Sequence, residues 1–235
     1  MRAIKSRTVA NKIINGLPLK ERRRLLASCE TVELVFGDTL SLPNDLLQFI
    51  YFPVTSFISL VARVQNHPPM ELALIGNEGM LGASLVLGVD TAPLESVVQG
   101  AGTAWRMKPS ELEPELRLSP MLNRLVSRYL YSLATQLSQS AVCTQFHTIE
   151  ARLARWLLMT HDRAHADEFH LTHQFLADML GVQRGAVTIA ASALKQKKLI
   201  HYTRGQIHIL SRNGLEETAC ECYSVIANVE KRLFK

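Results

Sequence analysis

Residues 171–210 read LTHQFLADMLGVQRGAVTIAASALKQKKLIHYTRGQIHIL, a stretch in which two short helical patterns meet at a glycine and run on into a hairpin. Thr172 stands where a helix N-cap belongs, ahead of an apolar face made by Phe175, Leu176 and Met179. Gly181 supplies the positive backbone torsion that lets the chain leave this helix in a tight turn, and Val182 plugs the corner. A second helix follows, with Val187, Ala190, Ala191 and Leu194 inward at helical spacing. Two alternating runs around Arg204-Gly205 then form a β-hairpin. Helix, turn, helix and hairpin in this order predict a winged helix-turn-helix.

The residues left on the outside carry the chemistry. A recognition helix enters the DNA major groove by its N-terminal turns, so side chains there reach base edges. Arg184 is placed to donate two hydrogen bonds to a guanine, Gln183 to pair with an adenine, and Thr188 to touch a thymine methyl or a phosphate. Lys195, Lys197 and Lys198 lie further along and carry charge without sequence information. Thr203 and Arg204 sit at the wing tip near a phosphate backbone, and Thr172 and His173 complete the expected DNA-facing set. Charge agrees with this assignment. Between Leu171 and Arg212 the bases Arg184, Lys195, Lys197, Lys198, Arg204 and Arg212 face the single acid Asp178. Over the whole chain, 26 Lys plus Arg against 21 Asp plus Glu leave only +5. Gly185 inside the second helix costs roughly 1 kcal/mol against alanine, which packing is expected to offset.

Upstream, the pattern changes twice. From about Thr31 to Met107, short apolar stretches are cut at even intervals by Gly37-Asp38, Pro43-Asn44-Asp45, Pro53, Asn66-His67-Pro68-Pro69, Gly76-Asn77-Glu78-Gly79 and Gly100-Ala101-Gly102, the mark of an all-β sandwich or barrel. Val32, Leu34 and Phe36 alternate there, and residues 57–64 form a β-rich run. A short helix started by Pro18 precedes them, with Arg22, Arg23 and Arg24 on its wet side. After Pro120, Gly and Pro vanish as far as Gly181. Val126, Leu130, Leu133 and Leu137 follow a 4-3-4 step, a narrow helical seam continued by Ser140 and Thr144. Leu122, Leu125 and Tyr129 form a second face, free to pack on the β domain. Thr148 stands where the next helix begins, so a helix-to-helix hinge is expected near Phe146 and His147.

A chain of 235 residues, 47% hydrophobic and 20% charged, excludes a disordered tail, a collagen-like fibre and a small disulfide scaffold. The opening Met1-Arg-Ala-Ile-Lys-Ser-Arg lacks the apolar core of a secretory signal, and no run is long enough to cross a bilayer, so a cytoplasmic protein is expected. Cys29, Cys143, Cys220 and Cys222 are too scattered for disulfides. Cys220 and Cys222, placed on one helix, would diverge at i and i+2, which disfavours a metal site. His161, His165, His170 and His173 have zinc-compatible spacing, but with Asp162 and Asp167 as the only nearby acids a solvated helix end is expected. No metal and no cofactor is therefore expected. A phosphate loop, a nucleophile elbow and a His-Glu-x-x-His pair are all missing, so the chain does not read as an enzyme.

With these residues in place, the sequence resembles the Crp/Fnr family of bacterial transcription regulators from about Arg22 onward. The resemblance is most specific in residues 171–210, and Val35-Phe36-Gly37-Asp38, Tyr51-Phe52-Pro53 and Glu78-Gly79-Met80-Leu81-Gly82 look like one of its branches. It implies an α+β fold: a jelly-roll-like, cyclic-nucleotide-binding-like β-roll over 1–118, a dimerisation helix over 119–146 and a winged helix over 147–235. It also implies a homodimer joined through Val126, Leu130, Leu133 and Leu137, bound to double-stranded DNA at a near-palindromic site, with RNA polymerase as a further partner. Two departures qualify the match. Where members that bind cyclic AMP carry Gly-Glu-Leu and then an Arg-Ser or Arg-Thr pair, this chain has Gly82-Ala83-Ser84 and, around Ala92-Pro93-Leu94-Glu95, no base. An anionic phosphate without a cationic partner is costly to bury, so cyclic-nucleotide dependence is not expected. The usual Arg-Glu-Thr-Val and following Arg become Arg184-Gly185-Ala186-Val187 and Ile189, so the operator cannot be copied from better-known members. A small-molecule- or haem-gated sensor, and a protein–protein scaffold that no longer binds DNA, stay open as alternatives.

Overall fold

The computed structural model describes residues 11–234; the stretch Met1–Arg7, read above for a leader, lies outside the described residues. Helix α1 (Lys12–Asn15) is capped by Asn11, whose buried amide also donates to the carbonyls of Pro53 (3.0 Å) and Gly79 (2.8 Å). Helix α2 (Leu19–Ala27) follows Pro18. Arg23 is exposed as expected, but Arg24 pairs with Glu115 at 2.8 Å, and Arg22 donates to the carbonyls of Asn15 and Leu17.

Seven strands then build the front of the molecule: β1 (Glu30–Leu34), β2 (Thr39–Ser41), β3 (Ile50–Pro53), β4 (Phe57–Ala62), β5 (Met70–Ile75), β6 (Glu95–Gly100) and β7 (Gly102–Met107). They form two antiparallel sheets, ordered β1-β7-β3 and β2-β6-β4-β5. Phe52, Ile50, Ile58, Leu60 and Ile75 fill the space between them. Gly82 closes the turn after β5 with φ +92°, and a Cβ there would meet Ile50 Cδ1 at 2.4 Å, so both torsion and packing require glycine.

Helix α3 (Pro109–Leu118) leads into α4 (Pro120–Phe146), whose first turn is fixed by Pro120 and by Ser119 Oγ accepting from Leu122 N–H at 3.0 Å. At 1.5 Å per residue, α4 runs about 40 Å. Leu122, Leu125 and Tyr129 pack into the β domain as expected. Val126 does too: it is 0% exposed, so it belongs to this chain's own core and not to an outward seam. Further along, Gln136 accepts from Leu74 N–H (2.7 Å) and donates to Leu74 O (3.1 Å), and Ser140 donates to Leu72 O (2.8 Å). Ser140 thus serves the rim strand β5 instead of continuing the seam.

The C-terminal unit comprises α5 (Ile149–Ala164), β8 (Glu168–His170), α6 (His173–Leu180), α7 (Arg184–Gln196), β9 (Ile200–Thr203), β10 (Gln206–Ile209), α8 (Arg212–Thr218) and α9 (Cys222–Leu233). Its core gathers Leu153, Trp156, Leu157, Leu176, Leu180, Val187, Leu194, Ile200, Ile207 and Leu215. The wing has three strands, ordered β8-β10-β9, where the sequence predicted only a hairpin. The stretch holding His170 is therefore a strand, not a helix end. No helix among the described residues is long and apolar enough to cross a membrane.

The two units meet over aromatic and ionic contacts. Phe36, instead of continuing the alternation of β1 inward, lies 5.8 Å from the ring of Phe175 on α6. Arg163 of α5 is buried and pairs with Glu78 of the β domain at 2.7 Å and with Glu230 of α9 at 3.1 Å. Burial pushes the Glu230 carboxyl up to about 7 against the pull of Arg163. With its folded pKa raised, the contribution of Glu230 to stability is present at acid pH and lost as pH rises through about 7. Removing one partner of a buried ion pair costs about 3–5 kcal/mol, so Glu78→Ala is expected to lower the denaturant midpoint by a corresponding amount in urea unfolding. In the same assay, Glu230→Gln is expected to flatten the pH dependence of stability between about pH 4.5 and 7.

Candidate nucleic-acid interface

Local chemistry fixes the reading head. Thr172 Oγ1 accepts from Phe175 N–H at 3.1 Å and so caps α6. Gly181 ends α6 in the left-handed region with φ +63°, and a Cβ there would lie 2.8 Å from Met70 Sδ of the β domain. Val182 packs against the core at the corner. Helix α7 then starts at Arg184, with Gln183 in the N-cap position but making no side-chain cap bond, so its amide is free to face outward. Val187, Ala190, Ala191 and Leu194 are buried, as their spacing required.

The outer face of α7 carries Gln183, Arg184, Gly185, Thr188, Ile189, Ser192 and Lys195, all exposed. Thr188 Oγ1 donates to Arg184 O at 3.1 Å and lies 2.9 Å from His173 Nδ1. The His173 ring stacks on Tyr202 at 4.3 Å, and burial, then the charge of Arg184, holds its pKa below the usual imidazole value. Thr172 and His173 therefore act first on the protein: one caps α6 and the other positions Thr188. Lys195 reaches Tyr202 O at 3.4 Å. Lys197 is not a free charge, because its ammonium pairs with Glu150 of α5 at 2.6 Å. At the wing tip, Arg204 (φ +47°) and Gly205 (φ +84°) make the tight turn, Thr203 bonds His201 at 3.0 Å, and Arg204 is exposed.

Ile189, noted in the sequence only as standing in place of an arginine, is 74% exposed in the middle of this polar face. Its signal was present: it follows Arg184 by five and Gly185 by four, outside the inward set. Gly185 also departs from expectation. Nothing lies within 4 Å of where its Cβ would be, so no packing offsets its helical cost.

The cysteines depart further. Cys220 precedes α9 and Cys222 begins it, so the two are not diverging positions within one helix. Both are buried and lie with Cys143 and Ala151 in a small cluster. The His161 imidazole is engaged by Asp167 (2.8 Å) and Arg212 (2.7 Å), away from this cluster.

Residues 151–218 match the Crp-like helix-turn-helix domain, so the C-terminal unit is a domain of that class. The fold over most of the chain is similar to that of solved structures that include a member of the Crp/Fnr family, as three of them illustrate. One is described as a transcriptional regulator of that family from Eubacterium rectale, with 14% identity, a TM-score of 0.67, and coverage of 87% of this chain and 95% of that one. The c-di-GMP responsive global regulator CLP of Xanthomonas campestris has 16% identity, a TM-score of 0.67, and coverage of 83% and 100%. FixK2 from Bradyrhizobium japonicum has 16% identity, a TM-score of 0.67, and coverage of 82% and 98%. Comparison with curated proteins by sequence gives no match.

Because the Gly185 site is open, Gly185→Ala is expected to stabilise the protein by up to about 1 kcal/mol, read as a higher denaturant midpoint.

Proposed function

We propose that the protein is a sequence-specific DNA-binding transcription regulator of the cytoplasm that acts as a homodimer on a near-palindromic operator, without a cyclic-nucleotide effector. One observation carries this reading. The leading turns of α7 present Gln183, Arg184 and Ile189 outward, and among the described residues the guanidinium of Arg184 has no hydrogen-bond or ion-pair partner. A guanidinium free at the tip of a groove-sized helix is the group that pairs bidentately with guanine. Ile189 offers an apolar contact for a thymine methyl, and open Gly185 lets the helix backbone come close to the duplex. Arg204 on the wing holds a phosphate, and Lys195 a second.

Dimerisation is supported by the side of α4 that the β domain covers only in part. Leu130, Leu133 and Leu137 are half-buried against the β domain, and beside them Tyr131, Val142 and Phe146 stand exposed. A dimer that reads two half-sites needs its two copies of α7 about 34 Å apart, one turn of DNA. RNA polymerase is the expected further partner of the DNA-bound dimer.

Effector independence rests on the interior of the β domain. The cavity beneath Gly82-Ala83-Ser84 measures about 100 Å³ and is lined by Leu47, Leu60, Met80, Pro93, Leu130 and Leu133 among others, with no basic residue. Ligand pockets run to about 300–1,000 Å³, so this one is too small for a nucleotide or a haem. Gating by a small apolar molecule keeps one support, since Leu130 and Leu133 of α4 line the cavity. Calorimetry with cyclic nucleotides is expected to give no heat of binding.

Genome-wide mapping of bound sites, followed by gel shifts on them at several salt concentrations, tests the DNA reading. Affinity is expected to fall steeply with salt. Arg184→Ala is expected to cost about 1–3 kcal/mol on the specific site and little on random DNA, whereas Arg204→Ala weakens both alike and lowers the salt slope by about 1. Equal losses for the two variants on both DNAs would place Arg184 outside the groove. Gly185→Ala is expected to weaken binding despite its gain in stability.

A further inference from the structure

The end of α4 and the start of α9 bring together side chains far apart in sequence. Cys143 and His147 lie one turn apart on α4 and its C-cap, and Cys220 and Cys222 flank the bend into α9. Cys143 Sγ and Cys220 Sγ are 3.4 Å apart, Cys222 Sγ lies 3.6 Å from His147 Nδ1, and all four ligand atoms fall within 4.8 Å of one another. The three thiols are buried and the imidazole is half-buried.

These separations match one ion. Zinc held at about 2.3 Å from sulfur and about 2.0 Å from nitrogen in a tetrahedron sets sulfurs about 3.8 Å apart and sulfur about 3.5 Å from nitrogen. A disulfide would use two of the sulfurs, at about 2.05 Å, and leave the third thiol and the ring without a role. The ring is also held as a ligand should be. His147 Nε2 lies 3.2 Å from Glu221 Oε1, so with its Nε2–H donated to the carboxylate, Nδ1 keeps its lone pair for the sulfur side. Three thiolates and a neutral imidazole around a divalent ion leave one net negative charge, and Arg152 and Arg155 lie close enough to act on Cys143 electrostatically.

We propose that Cys143, His147, Cys220 and Cys222 form a mononuclear, tetrahedral site for a thiophilic divalent metal, zinc foremost, which clamps the hinge between α4 and α5 to α9. The site stands on its four ligands and does not depend on the DNA reading. Binding releases the three thiol protons, so the metal is held more tightly as pH rises.

The test uses the full-length chain, reduced and stripped with a chelator under anaerobic conditions. Titration with cobalt(II) is expected to saturate at one ion per chain with the absorption of a tetrahedral thiolate centre, and zinc is expected to displace it while raising the thermal midpoint. Cys222→Ser and His147→Ala, checked for fold by circular dichroism, are expected to lose the cobalt spectrum, and Cys29→Ser to keep it. Glu221→Gln is expected to weaken zinc about 10-fold by releasing the ring. Absence of the cobalt spectrum from a folded chain with four free thiols would overturn the proposal. So would a spectrum unchanged in Cys222→Ser, or recovery of the chain only as a metal-free Cys143–Cys220 disulfide.

Discussion

One guanidinium holds the molecule's parts in register. Arg163 sits on α5, the first helix of the winged unit, and its charge is shared between a carboxylate of the β domain and one of the last helix. A buried ion pair of this kind adds little net stability over an apolar replacement, but the arrangement that mispairs it is penalised heavily. Its worth is therefore positional. With Glu78 held by the backbone turn at Gly76 (3.0 Å), Arg163 admits one placement of α5, and the helices carried by α5 are placed with it.

Around that point, α4 serves two surfaces at different depths. Its first half is apolar and belongs to the β domain; its second half switches to Ser132, Gln136, Ser140 and Cys143 on the same inward side. Gln136 and Ser140 are satisfied by strand backbone, so the helix is aligned along its length as well as docked. An apolar stripe alone would permit sliding by a turn. The amide of Gln136, bonded both ways to Leu74, does not.

How much of this the sequence disclosed depended on range. The winged helix was legible because its signals are local: a threonine before an apolar face, a glycine at a turn, alternation around Arg204-Gly205. The strand-rich front was legible from the spacing of its breakers. What stayed hidden was set by partners far away. Val126 shares the step of Leu130 and Leu133, and only the β domain decides that it faces inward. Strand β8 has three residues, too few to show alternation, and exists because β10 pairs with it. Lys197 reads as a solvated charge until α5 brings Glu150 beside it, and Cys143 is 77 residues from Cys220. The outer residues of α7 were the readable part of the candidate site. The role of His173 within the protein was not, since its contacts with Thr188 and Tyr202 depend on the fold around it.

The rims of the four-stranded sheet have a consequence for how copies can associate. At one side β2 is three residues long with an irregular register; at the other, Leu72 and Leu74 of β5 give backbone groups to Ser140 and Gln136. Unclaimed strand margins invite templated stacking from neighbouring polypeptides, and here both are blunted. Copies that meet therefore gain little from strand-to-strand pairing along either rim of this sheet.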